Sequence, residues 1–240
     1  MRKIHDPLAM AQEAGREIKA LYGENLVSVI LYGSAAGGDF DPQRSDINLL
    51  IVLRELGFEA VCILNPIWKK LERQRFGLPI FMDCAYIQRS LDSYPIEFLN
   101  MKGCYKVIVG EDVLLELNID REHIRLQAER ELRGKLLHLL SSGIEIGNKI
   151  RELKQLMEIS LKDFGAVFMA LLFLKEQKAE RNRKRIFDLV EKVYDIKDQP
   201  FSKALRALEK GNKQEIAAIF PGYVKGIQVI IERIDLAMHN

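Results

Sequence analysis

Leu26-Val27-Ser28-Val29-Ile30-Leu31-Tyr32, then Gly33-Ser34-Ala35-Ala36-Gly37-Gly38, then, past a polar loop, Asp46-Ile47-Asn48-Leu49-Leu50-Ile51-Val52-Leu53 is the stretch that organises this chain. Its two outer segments are runs of β-branched, aromatic and aliphatic residues, which read as buried strands. The small residues between them read as a tight turn, and Asp39, Asp41, Pro42 and Arg44 as a polar loop. A Gly-Ser turn after a buried strand lets backbone N–H groups come close to a phosphate, and the Ser34 hydroxyl adds a hydrogen bond. Asp46 and Asn48, two apart on a strand, project from one face. Oxygen ligands beside a phosphate cradle are the layout that Mg²⁺-assisted phosphoryl or nucleotidyl transfer requires.

Upstream, Asp6 caps a helix with Pro7 in its first turn, apolar residues at three- and four-residue spacing, and Gly23 as its stop. Downstream, residues 55–76 have a helical pattern that Pro66 kinks or breaks. Leu78–Tyr86, Pro95–Met101 and Tyr105–Val109 read as short strands. Strands alternating with helices imply an α/β domain over 1–118. From Asp120 the pattern becomes helical throughout, with periods over 120–140, 148–160, 163–177, 183–194, 200–209 and 213–236. Gly143, Asn182, Gln199-Pro200 and Pro221-Gly222 read as breaks. Residues 119–240 are expected to form an all-α bundle, its core including Met157, Phe164, Phe168, Leu171 and Leu172.

The 240 residues carry 36 basic and 34 acidic side chains, a net charge of +2 that argues against broad nucleic-acid binding through charge alone. With 48% hydrophobic and 29% charged residues, the balance is that of a folded globular protein rather than a disordered one. The longest apolar run, Phe164 to Leu174, falls short of the roughly 20 residues that span a bilayer, and Met1 to Pro7 has no apolar signal segment. Three cysteines, Cys62, Cys84 and Cys104, without a C-x-x-C pair, fit neither a disulfide framework nor a zinc ribbon. Cys62 and Cys84 sit among apolar residues and read as core. His5, His123 and His138 lack metal-ligand spacing. A cytoplasmic location is expected, and no membrane partner.

Tyr32-Gly33-Ser34, a ten-residue gap and Ser45-Asp46-Ile47-Asn48-Leu49-Leu50 resemble the signature of the DNA polymerase β-type nucleotidyltransferase superfamily, its aminoglycoside adenylyltransferase branch in particular. The resemblance covers Leu26 to Leu53. It implies a mixed sheet flanked by helices, often followed by a helical C-terminal domain. It also implies transfer of NMP from an NTP to a hydroxyl acceptor, with Mg²⁺ or Mn²⁺ held by two acids one residue apart and a third acid on a later strand. Carried onto this chain, Gly33 and Ser34 hold phosphates, with Arg44 and Ser45 as further candidates. For Arg44 an exposed loop position is the plainer reading. Asp46 and Asn48 hold the metal.

Asn48 departs from the pattern, which has a carboxylate there. A carboxamide oxygen can ligate Mg²⁺ but brings no charge. The chain is then either an enzyme in which the triphosphate and a third acid compensate, or a degenerate nucleotide- or partner-binding protein of antitoxin or sensor type. The third acid, as catalytic group or metal ligand, is Asp83 or Glu97, each embedded in an apolar strand candidate where an acid needs a metal, a partner or a raised pKa. Gly37-Gly38 either extends the phosphate loop or, more simply, is a turn. The basic run Lys175, Lys178, Arg181, Arg183, Lys184 and Arg185 reads as a solvated face diluted by Glu176 and Glu180, with nucleotide or nucleic-acid steering as the sharper option. Acceptors open to this chemistry are a small molecule, a protein or RNA, and self-association as a homodimer is a further option.

Overall fold

The Asp6 carboxylate accepts a hydrogen bond from the Ala9 amide at 2.9 Å, and Pro7 occupies the first helical position, so α1 (Pro7–Tyr22) starts where its cap dictates. In this computed structural model residues 4–37, 40–147, 149–178, 182–211 and 213–236 are described, so Gly38, Asp39, Glu180 and Arg181 lie outside them. The chain divides into two compact units, Met1–Ile119 and Asp120–Asn240.

In the first unit, β1 (Leu26–Tyr32) leads through the short helical turn α2 (Ser34–Gly37) to β2 (Asn48–Leu53). The 55–76 helix is two pieces, α3 (Phe58–Cys62) and α4 (Asn65–Arg73), with Pro66 in the first turn of the second. Then follow β3 (Ile80–Asp83), α5 (Cys84–Arg89), α6 (Pro95–Lys102) and β4 (Tyr105–Gly110). The sheet order is β3-β2-β1-β4. β1 runs antiparallel to both neighbours and β2–β3 is parallel, so the sheet is mixed. Alternation along the strands divides two cores. Val29, Leu31, Leu49, Ile51 and Leu53 face α1 and α4, while Val27, Ile30, Leu50 and Val52 face Ile87 of α5 and Phe98 of α6. Both faces being covered explains why β2 reads as a continuous apolar run.

Four expectations change in this unit. Pro95–Met101 is helix, not strand: Pro95 sits at the first helical position, and Pro95, Phe98 and Met101, three apart, are buried. The strand expected over 78–86 is cut to four residues because Asp83 caps α5, accepting from the Tyr86 amide at 2.6 Å. β2 begins at Asn48 rather than Asp46. Of the two cysteines read as core, Cys62 is half-buried and Cys84 exposed at the start of α5.

Gly110 closes β4 at φ +84°, and a Cβ there would collide with the carbonyl oxygen of Val27. Both the left-handed backbone and the β1–β4 pairing therefore require glycine. Gly110→Ala is expected to destabilise this unit by about 2–4 kcal/mol, read as a lowered urea midpoint, with a change below about 0.5 kcal/mol contradicting the packing.

The second unit consists of α7 (Arg121–Ile146), α8 (Ile150–Leu174), α9 (Arg183–Val193), α10 (Pro200–Lys210) and α11 (Lys213–Leu236). Asp120 caps α7 and Asn182 caps α9. The two helical periods over 148–160 and 163–177 are one helix, whose buried Met157, Leu161, Phe164, Phe168 and Leu171 run through the centre. Gly143 lies inside α7 and Pro221 inside α11. Pro221 costs a backbone hydrogen bond, yet fully buried Ile216 on one side and Tyr223, Ile227 and Ile230 on the other hold the helix through it. Phe164, Phe168, Phe187, Phe201 and Tyr223 pack edge-to-face or stacked around that centre. Tyr223 shares a 2.7 Å hydrogen bond with Ser160. Among the described residues, no helix is long and apolar enough to cross a membrane.

Buried Glu191 stabilises the start of α10, its Oε1 accepting from the Phe201 amide at 2.6 Å and the Ser202 amide at 3.2 Å. Burial raises its carboxyl above the usual range, against the lowering pull of hydrogen bonds from Ser202 and Phe201. A pKa raised on folding contributes stability below the unfolded value of about 4.3, which is lost as pH rises through the folded value. Glu191→Gln is therefore expected to gain Tm relative to the parent as pH rises from 4 to 8. A pH-independent difference in calorimetry contradicts this.

Candidate functional site

Antiparallel pairing sets Tyr32, the last residue of β1, opposite Asn48, the first of β2, and Tyr105, the first of β4, on its other side. The turn after β1 and the loop before β2 thus meet at one end of the sheet. Gly33 turns the chain at φ +77°, and its amide donates to the Cys104 carbonyl at 3.1 Å. Its N–H is thereby occupied, and what it provides is the backbone conformation that brings Ser34 round. Ser34 is half-buried, and among the described residues none hydrogen-bonds its hydroxyl. Burial pushes the Tyr32 phenol above its usual range.

The loop before β2 is internally bonded. Asp41 Oδ1 accepts from the Gln43 and Arg44 amides at 2.8 and 3.2 Å, the Ser45 amide donates to the Asp41 carbonyl at 2.9 Å, and Ser45 Oγ accepts from the Asp41 amide at 3.0 Å. Ser45 is thus engaged in shaping the loop, and the Arg44 side chain is exposed. Asp46 follows with a side chain 60% exposed, its Oδ1 3.7 Å from Nε of Arg75.

Asn48 stands between two glycines. A Cβ on Gly77 would come within 2.7 Å of its Oδ1, and one on Gly33 would lie 3.5 Å from its Nδ2. Gly77 also donates its amide to the Ile47 carbonyl at 3.0 Å. The side chain at 48 therefore occupies a slot that only a glycine at 77 leaves free. Gly77 and Arg75 are the residues of this site that the sequence analysis missed. A glycine heading a strand candidate is the signal that could have drawn attention to the first.

Neither candidate third acid joins this group. Asp83 pairs with Leu53, at the far end of β2 from Asn48, about 16 Å away at the usual rise per residue. It shares the alternation of Leu53 and Phe81, on the opposite face from Asn48, and its carboxylate is engaged as the cap of α5. Level with Asn48 on that side are Gly77 and Leu78, neither an acid. Glu97 lies on the exposed side of the first turn of α6.

Among the described residues, no three His, Cys, Asp or Glu side chains are grouped to hold a metal ion. One carboxylate and one carboxamide are too few for a free Mg²⁺. They fit an ion that arrives with a triphosphate, since Mg²⁺ is commonly held by one or two carboxylates together with substrate phosphates and water.

In the helical unit, Lys175, Lys178, Arg183, Lys184 and Arg185 are solvent-facing. A cavity of about 240 Å³ there is lined by Arg121, Arg125, Lys175, Tyr194 and Arg233. Its cations are largely matched: Arg125 by Glu122 and Glu129, Arg121 by Glu176 and Arg233 by Asp195. The pairing lowers the Glu122 carboxyl through the Arg125 hydrogen bond.

No protein-family model and no curated protein matches this sequence. Among solved structures, the chain is similar to spectinomycin adenyltransferase AAD(9) from Enterococcus faecialis, crystallised with ATP and spectinomycin. The TM-score is 0.54 and the identity 12%, over 90% of this chain and 98% of that one. At that identity the likeness is one of fold: a four-stranded mixed sheet with helices, followed by a helical C-terminal region.

Proposed function

We propose that this chain is a nucleotidyltransferase that moves NMP from an NTP to a hydroxyl group of a small molecule. The observation that carries the reading is that Gly33 and Asn48 meet at one end of the β1–β2 pair, with Ser34 and Asp46 one and two residues away along the chain, on a fold shared with a protein crystallised with ATP and spectinomycin. Gly33 shapes the turn, and the Ser34 hydroxyl donates to a phosphate oxygen. Asn48, with Nδ2 toward Gly33, offers a second donor to the phosphates, and half a turn about χ2 presents its oxygen instead. Asp46 Oδ1, with Asn48, holds the Mg²⁺ that accompanies the triphosphate. The ion supplies charge neutralisation at the reacting phosphate.

In the reaction the acceptor oxygen attacks the α-phosphorus, the bond from that phosphorus to the bridging oxygen breaks, and pyrophosphate leaves. The hydroxyl proton passes to solvent or a phosphate oxygen. Incubation of the protein with α-³²P-labelled NTPs, Mg²⁺ or Mn²⁺ and a panel of aminocyclitol and other polyhydroxylated acceptors is expected to give labelled acceptor and pyrophosphate in equal amounts. No NTP turnover with any member of the panel overturns the reading.

A further inference from the structure

We infer that Arg75 is a positioning residue for Asp46, an inference that rests on the reading above and extends it to a residue outside the motif. Its side chain is 9% exposed, and its guanidinium reaches the 41–47 loop at two backbone points: Nη1 donates to the Pro42 carbonyl at 2.9 Å and Nη2 to the Ser45 carbonyl. The Arg75 carbonyl in turn accepts from the Ile47 amide at 2.9 Å. Asp46 is thus bracketed on both sides by bonds to one residue. Nε, buried and without a hydrogen-bond partner, faces Asp46 Oδ1 across 3.7 Å.

The cost of this arrangement is visible locally. Arg75 takes φ +66°, a conformation that non-glycine residues adopt rarely, and Nε forgoes a bond. Nothing in α4 or β3 needs a planar two-pronged donor at this place, since both flanking turns close through backbone bonds from Gln74, Phe76 and Gly77. The two prongs match two carbonyls three residues apart, a task for arginine and not for the point charge of lysine. The device fixes the loop so that the Asp46 carboxylate is already placed when Mg²⁺ and triphosphate arrive, and preorganisation of this kind acts on the chemical step more than on binding.

The test uses Arg75→Lys and Arg75→Ala in the full chain. Each is expected to lower kcat about thirtyfold while the KM for NTP moves less than threefold, since misplacement by about 1 Å costs up to a hundredfold. Arg75 lines a cavity of about 350 Å³ with Ile4, Met10, Glu13 and Arg73, a route for a small cation into the vacated place. Guanidinium at millimolar concentration is therefore expected to raise the kcat of Arg75→Ala to at least a third of the wild-type value, whereas equimolar ammonium leaves it unchanged. In parallel, hydrogen exchange at the Ser45 and Ile47 amides is expected to accelerate at least tenfold in Arg75→Lys while Leu50 to Val52 stay protected. Exchange rates unchanged at 45–47, or activity lost together with protection throughout β2 and without rescue, overturns the inference. If the wild-type chain transfers no NMP, the proposed reaction fails while the exchange data still decide whether Arg75 holds the loop.

Discussion

Asp46→Ala is expected to lower NMP transfer about 10³-fold and to leave the melting temperature within about 2 °C of the parent. The kinetic half follows from Asp46 being the sole acid in the pair read as holding the ion. Losing the charged protein ligand of a divalent ion costs several kcal/mol of transition-state stabilisation, and each 1.36 kcal/mol is a factor of ten. The thermal half follows from the side chain being 60% exposed and 3.7 Å from the Arg75 guanidinium with which it forms an ion pair, a geometry worth little to folding. Steady-state kinetics and differential scanning calorimetry on the same preparation check both. A tenfold effect or less removes Asp46 from the reaction, and a collapse of Tm makes it a folding residue.

Asn48→Asp is expected to raise the affinity for Mn²⁺ in the presence of an unreactive NTP analogue by about 10²–10³-fold, and NMP transfer with it. Carboxylate and carboxamide have the same shape, so the slot between Gly33 and Gly77 accepts the change without a new contact. A unit negative charge about 4 Å from a divalent ion gains several kcal/mol at an effective dielectric near 20, from which desolvation takes part. Titration calorimetry reads the affinity directly. An unchanged affinity places Asn48 off the metal and leaves it with the phosphate-donor role alone. Lower activity despite tighter metal identifies a site adapted to the carboxamide.

The β1–turn–β2 unit was legible because its apolar runs, seven and six residues long and rich in β-branched and aliphatic residues, are strand-length rather than helix-length and are separated by small residues. The change to helices at Asp120 was legible for a similar reason: Asp120 caps α7, and leucines recur at helical spacing beyond it. Pro95–Met101 was not, because seven residues fit both periods and the proline that starts α6 also fits an edge strand. That ambiguity carried Glu97 with it. Asp83 does lie at the end of a strand, but the parallel register with β2 sets it at the wrong end and its neighbour α5 takes up its carboxylate. Pro221 misled because a break depends on what the helix is packed against, and four deeply buried residues flank it. Arg75 was invisible for a deeper reason. Its importance lies in two carbonyls some thirty residues away and in a positive φ, neither of which leaves a pattern in its own neighbourhood.

A crystal structure with Mn²⁺ and an NTP analogue carrying a methylene between the α- and β-phosphorus atoms bears most directly on where the triphosphate sits. The expected result is phosphate density at Gly33 and Ser34, with an anomalous Mn²⁺ peak about 2.2 Å from Asp46 Oδ1. A nucleotide bound elsewhere, or an ion without contact to Asp46, contradicts it.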